Sequence, residues 1–146
     1  MNPKRRLQAA GLVVILALNV SAFYCNSGTK NLAVASQAIS HALTNAQLAV
    51  KQGVTDGVIT AADEQDFEEY LVKAGNAGIS LDQAIRANQS ASSVSGQVNA
   101  FLTAFNQLNT KGVLGIKNQN LKLTVSTILT GAEASVAVIA AAVGGK

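Results

Sequence analysis

The 146-residue chain has no tryptophan and one residue each of cysteine, histidine, proline and methionine. Each scarcity removes a class of function. Three or four ligands hold a zinc ion, and one His with one Cys does not supply them. A lone Cys25 forms no disulfide within the chain. Cysteine–histidine catalysis would have to pair Cys25 with His41, the sole residues of either kind. Aromatics make up 4% of the chain and charged residues 13%.

What is present is alanine, 25 residues of it, and 22 asparagines and glutamines against 19 charged residues. Alanine is the best helix former, and near-absence of proline removes the strongest breaker. An all-α fold is therefore expected. Its core of Ala, Val, Leu and Ile buries little area per residue, so stability should be modest. The net charge of +3 is misleading, because Lys4, Arg5 and Arg6 supply all of it. A nucleic-acid partner requires a basic face that neutralises phosphates, and residues 23–146 balance eight cations against eight anions. Nucleic acid is not an expected partner.

The N-terminus orders its residues as an export signal does. Met1–Arg6 is basic, and no charge occurs in the 23 residues from Leu7 to Thr29. Val20 and Ala22 supply the small side chains a signal peptidase needs, placing the scissile bond at Ala22–Phe23. The expected organisation is a signal peptide over 1–22, a flexible lead over 23–29 and a helical bundle domain over 30–146. Two rivals exist. The segment is long enough to stay as an uncleaved anchor reaching to about residue 29. Alternatively Cys25 is lipidated, although Phe23-Tyr24 stand where a lipoprotein site has small residues. The positive-inside rule gives every version one topology, with the later residues translocated. The location expected is extracytoplasmic, periplasmic or secreted; in the anchored version, residues 30–146 lie outside an inner membrane.

Helical periodicity and glycine punctuation predict four helices. The first covers about 30–52, with Leu32, Ala35, Ile39, Leu43, Ala46 and Val50 inward, Thr29 as cap and Lys51-Gly53 as its end. The second covers about 61–74, with Thr60 and Asp63 as a capping-box pair, Phe67, Tyr70, Leu71 and Ala74 inward, and Gly75 as stop. The third starts after Ser80, with Gln83 as its cap partner, and reaches Thr110 across a weak stretch at 90–96. Its stripe is Leu81, Ile85, Ala91, Val94, Val98, Phe101, Leu102, Phe105 and Leu108. The fourth covers about 118–143, with Leu121, Val125, Ile128, Leu129, Ala132, Val136, Ile139, Ala140 and Val143 inward. No window alternates with period two, so no sheet is expected. Short links between helices imply an up-and-down bundle.

Few residues point to chemistry. Within the link Gln52–Asp63, the core Asp56-Gly57-Val58-Ile59 looks like the middle of a calcium-binding EF-hand loop, with Asp56 and Gly57 at its fifth and sixth positions and Asp63 at its twelfth and last. Gln52 and Val54 occupy positions that need carboxylates, so a turn that restarts a helix is the better reading and no metal or other cofactor is expected. Asp63, Glu64, Asp66, Glu68 and Glu69 are five of the eight acids, read as a solvated helix face or a docking patch for a basic partner. Acid-pair catalysis needs carboxylates facing across a cleft, which neighbours on one face do not provide. His41 falls off the apolar stripe, no Ser–His–acid set is suggested, and the glycines do not follow a strand as a phosphate loop requires.

The fourth helix invites a membrane test. Leu123–Val143 holds one charge, Glu133, and eight Leu, Ile or Val residues. Each of these favours insertion by about 0.3 to 0.6 kcal/mol, and one central acid opposes it by roughly 2.5 to 3.5 kcal/mol. The contributions nearly cancel. The favoured expectation is a non-enzymatic exported helical bundle that acts by surface contacts, through a protein partner or self-association. The alternative is a membrane-active protein, holin-like or pore-forming, using the N-terminal apolar helix and the helix over 118–143.

Overall fold

The computed structural model describes residues 27–144. The cleavage pair Ala22–Phe23, the lipidation candidate Cys25 and the signal or anchor segment lie outside the described residues. Four α-helices and no strand are found among them: α1 Ser27–Thr55, α2 Ala61–Arg86, α3 Ala91–Gln107 and α4 Gln119–Gly144. A π-helical segment, Leu108–Val113, continues α3 without a break. The described residues form a small all-α up-and-down bundle. α1 packs on α2 and α4, α2 on α3, and α3 on α4, while the diagonal pairs α1–α3 and α2–α4 do not meet.

The predicted stripes form the core. Ala35, Ile39, Leu43, Ala46 and Val50 of α1 are buried, as are Phe67, Leu71 and Ala74 of α2. Val94, Val98, Phe101 and Phe105 of α3 join Val125, Leu129, Ala132, Val136 and Ile139 of α4. Phe101 and Phe105 stack with centroids 5.4 Å apart. Leu102 is a miss. It follows Phe101 directly, about 100° round the helix, and is exposed.

Polar clasps set the register of α1 against α2. Ser36 donates to Asp82 Oδ1 over 2.8 Å, and Arg86 Nε holds the other oxygen of Asp82. Gln47, only 2% exposed, donates to Glu68 Oε1 over 3.1 Å. Each buried polar group thus has a partner, which avoids the penalty of desolvating it unpaired.

The helix boundaries correct the glycine reading. α1 starts at Ser27, so residues 27–29 belong to it rather than to the lead, and Thr29 is not its cap. It also runs past Gly53 to Thr55, so Lys51 lies short of the terminus and sits 3.6 Å from Glu68. α2 does not stop at Gly75 but continues to Arg86, absorbing the start expected at Ser80. The Ser80 hydroxyl donates back to the Asn76 carbonyl over 3.1 Å, as a mid-helix serine does. The break falls just ahead of the weak 90–96 stretch. Asn88 turns the chain at φ 49°, and Ser90 caps α3 by accepting from the Ser93 amide.

At Gly53 the reason is steric. A Cβ on Gly53 would lie 2.6 Å from Leu121 Cδ2 of α4, and one on Gly78 would lie 3.4 Å from Phe101. On Gly112 it would lie 3.4 Å from Phe67 Cδ2. Gly53 thus lets α1 and α4 approach, and the helix tolerates the loss of propensity, whereas a Cβ on Gly78 or Gly112 would make ordinary contact with Phe101 or Phe67. Among the described residues, Gly57, at φ 71°, is the one glycine that makes a turn other residues would strain to adopt.

Candidate functional site

One end of the bundle gathers the two inter-helix links that follow α1 and the π-helical segment. The first link folds back by hydrogen bonds from the Asp56 amide to the Gln52 carbonyl and from the Val58 amide to the Gly53 carbonyl, both 2.8 Å. Ile59 is buried beneath it. The predicted capping box is present: the Thr60 hydroxyl accepts from the Asp63 amide, and the Thr60 amide donates to Asp63 Oδ2 over 3.0 Å. Ile116 plugs the second link, and Lys117 Nζ comes within 3.4 Å of Asp63 Oδ1. The Thr60 hydrogen bonds, joined by the charge of Lys117, hold the Asp63 carboxyl below its ordinary range.

This arrangement separates the two calcium-loop candidates. Asp56 Oδ1 accepts from the Gln52 amide group over 2.8 Å, while Asp63 serves the cap. No group of three or more His, Cys, Asp or Glu side chains able to hold a metal ion occurs among the described residues.

The acidic run is dispersed over several surroundings. Phe67 points to the core from its middle. Glu68 turns toward α1, between Gln47 and Lys51. Glu69 pairs with Lys73 at 2.8 Å, which lowers the Glu69 carboxyl and raises the Lys73 amine from their usual ranges. Lys73 also lies 5.0 Å from the Tyr70 ring centre. Asp66 is exposed and Glu64 half-buried. The five acids therefore do not make one unpaired patch. His41 is exposed, with its Nε2 3.5 Å from Gln37 Nε2.

A groove that the sequence reading missed lies where the π-helical segment meets α4. Its volume is about 340 Å³, and Asn109, Leu114, Lys122, Leu123, Ser126 and Glu133 are among its lining residues. Leu114 is 62% exposed and Leu123 58%. Asn109 Nδ2 donates to Glu133 Oε1 over 2.9 Å across the groove. The π-helical widening shifts the register so that Leu108 and Val113, five residues apart, are both buried. That spacing was the available signal, because an α-helix returns to one face after three or four residues and a π-turn after five. Such segments recur at functional positions in helices.

Comparison of the chain with protein-family models, curated proteins and solved structures finds no match.

Proposed function

We propose that this chain is a non-enzymatic exported bundle that works by surface contacts in the cell envelope or the secreted fraction. The observation that carries the reading is the groove between the π-helical segment and α4, where two leucines stand more than half exposed. Exposed apolar side chains that gather beside polar ones mark contact sites more often than scattered ones do. The polar side chains between α1 and α2 meanwhile serve the fold, as Ser36, Asp82, Gln47 and Glu68 do. Export is supported by the basic, apolar, small-residue order of residues 1–22. Reproducible turnover by the purified protein, abolished by a point substitution, would overturn the non-enzymatic part.

A second reading has an observation of its own. Gln119–Val143 is long and apolar enough to cross a membrane, and only 28% of its most apolar stretch is buried in the bundle. Thr124, Thr127, Thr130 and Ser135 each donate to the carbonyl four residues back, so their hydroxyls need no water. In this reading the chain is membrane-active and α4 leaves the bundle to insert. Carbonate extraction separates the two: a processed bundle washes off membranes, and an inserted protein stays with them.

A further inference from the structure

We propose that the groove beside α4 is filled by a second copy of this chain, with the two α4 helices antiparallel about a two-fold axis. Lys122 and Glu133 are the only charged residues in α4, and both line the groove. Eleven residues apart, they are three turns and about 16 Å from each other on nearly the same face. Neither forms a salt bridge among the described residues. The bond from Asn109 holds the Glu133 side chain at the groove without neutralising it, because the donor is an uncharged amide.

A groove with a cation at one end and an anion at the other is complementary to itself when reversed. A two-fold axis between Thr127 and Ile128 sets Lys122 against Glu133 of the second copy, and repeats the pair by symmetry. An isologous interface requires this reciprocity. A parallel copy would instead set like charges together, which costs several-fold in affinity or more. The centre of the contact then falls on Ser126 and Thr130, whose small side chains let the helices approach. Leu114 and Leu123 are covered by the partner helix, which accounts for their exposure in the single chain. The proposal rests on the surface-contact reading and names the partner for one face of it.

The test uses two differently tagged copies of the full chain, co-expressed and captured through one tag. Wild-type copies should co-purify. Lys122→Glu alone turns both pairs acidic, and Glu133→Lys alone turns both basic, so either variant should reduce self-capture at least about tenfold. A mixture of one Lys122→Glu copy with one Glu133→Lys copy restores both attractions and should co-purify again. The doubly exchanged chain should pair with itself. Because rescue occurs only by mixing, it also shows that each variant is folded. The proposal is overturned if wild-type copies do not co-purify, if either single reversal is captured at the wild-type level, or if the mixed pair stays apart. Any of these removes the second copy as partner, whereas turnover, not capture, overturns the surface-contact reading itself.

Discussion

Replacing Gly53 with alanine sets two effects of opposite sign against each other. Alanine in a helix interior is favoured over glycine by about 1 kcal/mol. The new Cβ would stand 2.6 Å from Leu121 Cδ2 and 3.4 Å from Ile59 Cγ1. Carbon atoms prefer about 3.5 to 4.0 Å, so Leu121 must retreat by roughly 1 Å. Overpacking of this kind costs typically 1–3 kcal/mol. Gly53 lies in the last turn of α1, where the propensity gain is smallest, and Leu121 is half-buried with some room to turn. The expected balance is a loss of about 1 kcal/mol, or roughly 4 °C in Tm for a domain of this size. Thermal unfolding followed by circular dichroism measures it. The control is Gly96→Ala, an exposed α3 position with nothing near its Cβ, which should gain up to about 1 kcal/mol. A double-mutant cycle with Leu121→Ala identifies the cause, since removing the leucine tip should remove the penalty. Stabilisation by Gly53→Ala equal to that by Gly96→Ala would refute the close-approach account.

Thr60→Ala removes the hydroxyl half of the capping box, leaving the bond from the residue-60 amide to Asp63, and should lower stability by about 1 kcal/mol in denaturant titration. The folded Asp63 carboxyl titrates below its unfolded value, so its contribution is complete at neutral pH and is lost as pH falls through the folded value. Asp63→Asn should therefore weaken the acid dependence of Tm, and an unchanged acid limb would contradict this. Asn88, at φ 49°, should accept glycine with little change, whereas Asn88→Val should cost about 1–2 kcal/mol by chemical denaturation. Phe67→Ala empties a fully buried site between α2 and its neighbours and should cost about 3–5 kcal/mol, read as a large fall in Tm.

The fold was legible wherever one residue type decided one face. The spacing of Ala35, Ile39, Leu43, Ala46 and Val50 marks the core side of α1, and these five are buried. The Thr60–Asp63 box was legible because capping depends on residues three apart. Asn118 caps α4 in the same way, accepting from the Leu121 amide, although the sequence reading assigned it no cap. Glycine was not legible, because one residue serves two purposes. Gly57 makes a turn, while Gly53 lies in a helix pressed against Leu121. Which purpose applies depends on a partner helix distant in sequence. That same dependence hid the fusion of the second helix with the start of the third. The acidic run looked uniform as a string, yet Glu68 faces α1, Asp63 caps α2 and Glu69 pairs along its own helix. The groove escaped because Leu114 and Leu123 fall off every α-helical stripe, and it forms only where the π-helical segment displaces the chain.

The central claim is that an N-terminal address sends a self-contained helical bundle out of the cytoplasm. The intact mass of the protein recovered from the extracytoplasmic fraction tests it most directly. The account predicts a single species beginning at Phe23, lighter than the full chain by the mass of residues 1–22. Recovery of the unprocessed chain as a freely soluble protein inside cells would contradict it.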